Sequence, residues 1–294
     1  MSFELFPGSH SFLRVSLNSR PNPPPSPTDW ASLLPEEDYR FSMRFHREPV
    51  EQFFGPTAAR VGTLSQRARW LDETPGHYAA VTTQARPLLL ELTALTRDWT
   101  GADVLESPDD LTLCQALGRQ LEPDFLLLQP DESGTLRLDA ACVCFPSAWN
   151  LAEKIGHSVE FIHSAVPRLN AQASAPIRQF LERLKPGPVW RRANWGLSRS
   201  PEWNQHPDRH LPRLDATATA GDVWLRVEHQ AFVRLTGSGV LFGIRISVHP
   251  LVELLQIPEA CRGLHRALRT MPEDVAAYKG IAGAREVLLS LTRE

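Results

Sequence analysis

His163 stands in the run Cys142–Pro167, CVCFPSAWNLAEKIGHSVEFIHSAVP, among Phe161, Ile162, Ala165 and Val166. The simplest use of an imidazole in such an apolar, proline-bounded frame is as a satisfied, partly buried side chain. Its chemical use would be as an iron ligand: haem, unlike zinc, is held by a single protein donor within apolar walls. A second group of polar residues lies downstream. Arg226, Glu228 and Gln230 alternate along DVWLRVEHQAFVRL, while Val223, Leu225, Val227, Ala231 and Val233 occupy the other positions of the alternation. Arginine beside glutamate can fix negative charge by charge-assisted hydrogen bonds, bind a cation or pass a proton.

These residues need a strand pair to hold them. The run VLFGIRISVHPL at 240–251 is a second strand, and Thr236-Gly237-Ser238-Gly239 supplies the turn. Read as a two- or four-residue loop, that turn sets Leu235 opposite Val240. Gln230 then faces Arg245, Glu228 faces Ser247, and Arg226 faces His249. The plain alternative is the solvated outer face of a half-exposed sheet. Trp224, Phe232 and Phe242 or Leu241 flank the group, which suits a partly covered pocket better than open water.

Around this pair the period of the sequence changes twice. Residues 1–56 read as a proline-rich, irregular arm, with PNPPPSP at 21–27 held extended, and residues 57–294 as a single domain. TAARVGTLSQRARWL and HYAAVTTQARPLLLELTALTRDW are helical, with Pro87 beginning or kinking the second, and a third helix covers Asp109–Leu121 behind Ser107 and Pro108. DFLLLQ, PDESG and TLRLDAACVCF form a hairpin, and VWRRANWGL at 189–197 is a further strand. Helical patterns return over Pro258–Met271 and Gly283–Leu291. Antiparallel strands between helical ends define an α+β fold.

Composition narrows the partners. With 31 basic and 34 acidic residues, a net charge of -3, the chain has no electrostatic footprint for nucleic acid or an anionic membrane. No apolar run of membrane-spanning length occurs. Cys114, Cys142, Cys144 and Cys261 contain no CxxC pair for zinc or an iron–sulfur cluster, and a reduced, cytoplasmic setting is expected.

The motifs FPSAWNLAEKIG, IHSAVP, NWGL at 194–197, RVEHQ at 226–230 and LFGIRISVHPL occur in this order, and the chain from about Arg40 to Leu289 resembles the α subunit of haem-dependent oxidative N-demethylase. The resemblance implies a PAS-like antiparallel sheet, with N- and C-terminal helical additions, whose inner face and neighbouring helices enclose haem b. His163 in IHxxVP is carried over as the axial ligand, with Trp195 and Gln230 as further cofactor-binding residues and Arg226, Glu228 and Arg245 as the polar residues of the opposite, oxygen-binding side. The implied reaction is oxidation of a small secondary amine, dimethylamine, with O2 and electrons from NADPH. This sequence lacks a GxGxxG flavin fingerprint and a cysteine cluster, so FMN, 2Fe-2S and tetrahydrofolate are implied only in partner subunits.

One departure and several minor candidates complete the reading. His229 stands where the resemblance favours a second arginine; alternation turns it to the apolar side, where it affects packing more than chemistry. The Cys142-Val-Cys144 sulfurs read as core atoms, His157 as a surface residue in reserve as iron ligand, and His206 and His210 as loop residues around Pro207. A non-catalytic haem or gas sensor is the alternative function, and the short helices after Leu251, with no output module, favour the enzyme.

Overall fold

The computed structural model describes residues 29–293; the proline run PNPPPSP lies outside them. The strands are β1 (His46–Glu48), β2 (Ala79–Val81), β3 (Asp124–Pro130), β4 (Leu136–Cys142), β5 (Val189–Ser198), β6 (Trp224–Arg234) and β7 (Val240–Pro250). Among the described residues they form one antiparallel sheet in the order β1-β5-β6-β7-β3-β4-β2. The helices are α1 (Trp30–Leu33), α2 (Val50–Phe54), α3 (Arg60–Glu73), α4 (Pro75–Tyr78), α5 (Arg86–Thr100), α6 (Asp110–Gln120), α7 (Val159–His163), α8 (Leu169–Arg183), α9 (Leu251–Leu254), α10 (Pro258–Thr270), α11 (Glu273–Tyr278) and α12 (Arg285–Leu291). The fold is α+β, as the alternating patterns require. No helix among the described residues is long and apolar enough to cross a membrane.

Local signals account for most boundaries. Asp109 caps α6 by accepting from the Thr112 amide at 2.7 Å, and Pro87 opens α5, where its missing N–H costs nothing. Of the two expectations for Pro87, the one that begins a helix holds, and the helical pattern read before it from His77 divides into α4 and the three-residue strand β2. A strand this short has no period of its own; pairing with Ala140–Cys142 of β4 creates it. Residues 29–56, expected within an irregular arm, contribute α1, the edge strand β1 and α2, whose Phe53 and Phe54 are buried in the core. Gly243 permits that approach, since a Cβ there would meet Phe54 Cζ at 2.7 Å.

The β6–β7 register differs from the sequence expectation by one residue. Arg234, not Leu235, pairs with Val240, so Gln230 lies opposite Ile244, Glu228 opposite Ile246, and Arg226 opposite Val248. The loop is odd: Leu235 N–H donates to Gly239 O, and Ser238 takes the left-handed conformation at φ 73°. This is the three-residue hairpin loop with a bulge residue, and here a serine occupies the position that glycine usually takes. Because side chains alternate, the shift moves Arg245 to the face of its partner His229, away from Glu228.

One buried ion pair ties the two halves of the sheet's surroundings together. Asp124 at the start of β3 pairs with Arg67 of α3, both inaccessible to solvent, and accepts from the Cys144 and Phe145 amides at 2.7 and 3.0 Å. Arg67 Nε also donates to Gly118 O of α6 at 2.6 Å. The pair contributes little net stability by itself, but removing one partner strands the other's charge. Asp124→Ala is therefore expected to lower unfolding stability by about 3–5 kcal/mol in urea denaturation; a loss below ~1 kcal/mol, the scale of an ordinary substitution, would refute this anchoring role.

Candidate functional site

Pairing of β5 with β6 assembles a polar row on one face of the sheet. Arg192 lies opposite Gln230, Asn194 opposite Glu228, and Gly196 opposite Arg226, so Arg192 joins the residues that alternation had already aligned. A continuous hydrogen-bond chain results. Arg226 Nε donates to Ser147 Oγ at 2.8 Å, and Ser147 Oγ donates to Glu228 Oε1 at 2.6 Å. Gln230 Nε2 donates to Glu228 Oε2 at 2.8 Å, and Arg192 Nε donates to Gln230 Oε1 at 2.7 Å. Arg226 is fixed further by Phe145 O at 2.7 Å, the same segment whose amides Asp124 holds.

Beside this chain the sheet borders a cavity of about 710 Å³. Its position follows from the edge of β5. β1 pairs with β5 only through Arg191, and from Arg192 onward the outer side of β5 has no strand partner among the described residues. Side chains from both faces therefore reach one space: Arg192 and Gln230 from the polar face, Trp195 and Val227 from the other. His163, the last residue of α7, closes the cavity with Val166 and Leu169, while Lys279 donates to Trp195 O at 2.6 Å. His163, Trp195 and Gln230 thus surround a single cavity. Arg226 and Glu228 lie along the strand from it and join it through Gln230.

Electrostatics set the states of the cavity groups. Burial lowers the pKa of His163, and Arg192 adds to the effect against an opposing pull from Glu160, so the imidazole is neutral at neutral pH. No hydrogen bond engages its ring among the described residues. Burial also brings Lys279 down to about 8, with Glu228 opposing the shift and Arg192 adding to it. Glu228 is the carboxylate among three cations, Arg226, Arg192 and Lys279, each of which it acts upon.

Arg245 stands elsewhere. Its Nε donates to Phe53 O at 2.7 Å, NH1 to Glu122 at 2.9 Å and NH2 to Gly55 O at 3.1 Å, so it anchors the C-terminal end of α2 and pairs with Glu122. His229, on that same face, joins Ser247 Oγ through Nε2 at 2.9 Å, and Ser247 in turn contacts His249 Nε2 at 3.0 Å. The apolar surround expected for His229 is thus replaced by a buried polar chain. His157 is exposed and stacks on Phe161 with ring centroids 4.0 Å apart, outside the cavity. Cys142 and Cys144 are core residues without solvent contact.

Sequence reading missed Arg192, Ser147 and Lys279. A signal for Arg192 existed, since VWRRANWGL was read as a strand and its arginine pair guarantees one arginine on each face. For Lys279, on the turn after α11, the sequence holds no local signal.

The site of this α+β protein is thus a cavity in which apolar walls from Trp195, Val227, Val166 and Leu169 meet charged and polar side chains of both signs around a half-buried histidine. Residues 65–289 match the family described as haem-dependent oxidative N-demethylase, alpha subunit-like, and the chain belongs to that family. The family name carries haem dependence and oxidative N-demethylation, and its designation as an α subunit implies further subunits.

Burial lowers the pKa of His229 from 6.5 to about 3, with Arg191, His249 and Arg245 adding to the shift. The unfolded chain binds a proton near pH 6.5 that the folded chain refuses until about pH 3, so this residue makes stability fall as pH falls through that window. The slope is roughly 1.4 kcal/mol per pH unit. Urea denaturation of His229→Asn between pH 6 and 4 should give a shallower decline by about that slope; a decline equal to the parent's would contradict it.

Proposed function

We propose that this chain binds haem b in the cavity beside β5, with His163 as the axial iron ligand, and oxidatively removes a methyl group from a small secondary amine of the dimethylamine type. The observation that carries the reading is the His163 imidazole, held neutral by burial and free of hydrogen bonds at the cavity wall. Neutral imidazole is the ligating form. Trp195, Val227, Val166 and Leu169 supply apolar walls for the macrocycle, and Arg192 and Lys279 are cations available to its carboxylate groups. An antiparallel sheet with α7 and α8 beside the cavity also supports the PAS-like reading of the fold. Haem bound there would supply the redox centre at which O2 oxidises the amine.

The chain's own residues supply binding and proton placement. Both Glu228 oxygens accept hydrogen bonds, from Ser147 and Gln230, which orients the carboxylate toward a cationic ammonium or a proton in transfer. Ser147 cannot turn away, because Arg226 Nε donates to the same oxygen. Arg226 and Arg192 hold positive charge at the two ends of the chain and stabilise negative charge developing nearby. Balance for dimethylamine reads: amine, O2, NADPH and one proton give methylamine, formaldehyde, NADP+ and water. The electrons are assigned to partner subunits carrying FMN and a 2Fe-2S centre, with tetrahydrofolate as a partner-held acceptor for the formaldehyde.

The test is spectroscopic. The chain expressed with haem supplied should show a Soret band, and His163→Ala should lose or shift it. Dimethylamine should perturb the ferric spectrum, and Glu228→Gln should raise the concentration needed at least tenfold, equivalent to about 1.4 kcal/mol. Absence of the band, or an iron spectrum unchanged in His163→Ala, overturns the ligand assignment. A spectrum indifferent to every small amine overturns the demethylase in favour of a gas sensor.

A further inference from the structure

Outside the lining of the cavity beside β5, three metal-ligating side chains converge from two separate segments. His77 comes from α4, while His206 and Asp208 flank Pro207 at a 3-10 turn, Pro207–Arg209. Their nearest donor atoms all lie within 4.8 Å of one another. His77 Nε2 is 3.6 Å, and His206 Nδ1 3.8 Å, from Asp208 Oδ2. The two imidazole rings stack in parallel, centroids 4.5 Å apart and 7° from coplanar, so one ring must rotate for both to meet a single ion in their ring planes.

The contacts are those of acceptors facing one another. His206 Nδ1 accepts from the Asp208 amide at 3.3 Å, which leaves that nitrogen unprotonated opposite a carboxylate oxygen that is also an acceptor. His206 is 2% exposed, yet its Nε2 has no hydrogen-bond partner. A buried imidazole whose only hydrogen bond is this long one is under-satisfied.

We propose that His77, His206 and Asp208 form a binding site for a divalent first-row transition cation of the Zn2+ class. Two imidazoles and one carboxylate suit such a borderline cation, and water fills the remaining positions because His77 and Asp208 are 39% and 62% exposed at their side chains. Ligand bonds of about 2.0–2.2 Å place donors roughly 3.0–3.5 Å apart, so closing the cage requires the two imidazoles and the carboxylate to draw together from their present spacing within 4.8 Å. Glu153, close enough to act electrostatically on His206, adds negative charge. The bound cation would pin α4 to the loop whose Glu202 O accepts from Arg226 NH1 at 3.3 Å, joining this site to the support of the polar row. The proposal stands on these residues alone and does not depend on haem binding.

Titration of the purified full chain with Zn2+, followed by calorimetry and by metal analysis after desalting, tests it. The expected result is one Zn2+ retained per chain, with His77→Ala and Asp208→Asn each weakening affinity at least tenfold and His210→Ala leaving it unchanged. His77 and Asp208 are exposed enough that both variants should fold, and a thermal unfolding midpoint raised by Zn2+ in the parent but not in them is the second readout. No retained metal, or retention equal in parent and both variants, overturns the site.

Discussion

The Arg67–Asp124 pair is the constraint on which the arrangement of the polar row depends. Asp124 is the first residue of β3, and its carboxylate takes up a guanidinium from α3 and two consecutive amides from the segment after β4. Those amides belong to Cys144 and Phe145, so the carboxylate dictates where the chain runs immediately beyond β4. Two residues further on, Ser147 is delivered to Arg226 and Glu228, and Phe145 offers its carbonyl to Arg226. A charge buried this completely must be met by hydrogen bonds on every side, which leaves the backbone little freedom. Specificity of position, more than net stability, is what such a pair supplies here.

Sequence alternation placed Arg226, Glu228 and Gln230 on one face because residues i, i+2 and i+4 of a strand share a face whatever the partner does. Cross-strand neighbours were a different matter, since they depend on whether the loop has an odd or even number of residues. Glycines at 237 and 239 invited an even loop, while the left-handed residue proved to be Ser238. That single conformation decided that Arg245 anchors α2 instead of facing Glu228. The strand β2 was illegible for another reason: three residues have no measurable period, and only β4 makes them a strand.

His163 shows the complementary case. Its apolar neighbours in sequence were legible, but Phe161 and Ala165 are exposed, and of that frame Val166 lines the cavity beside His163. What sequence could not supply was the opposite wall, because the cavity is bounded by residues from the 29–46 segment, β5, β6 and the turn after α11, far apart in the chain. Arg192 is the residue in which both limits meet. Its strand was evident, but its role required knowing that β5 is Gln230's neighbour and that β5 has a free edge.

That free edge explains why polar and apolar chemistry coexist around one cavity. An interior strand separates its two faces completely, so Gln230 and Trp195 could not address the same ligand across it. At an edge, side chains of both faces curl around the same backbone, and the row of unpaired peptide groups needs covering. Lys279 covers one of these carbonyls at Trp195 with its ammonium, while Arg192 reaches Ser42 O at 3.2 Å. Positive charge therefore collects where the sheet ends. Glu228 acts on Arg226, Arg192 and Lys279, and Asp29, Glu37 and Asp38 of the segment before β1 line the same cavity, so this charge is partly offset where it collects.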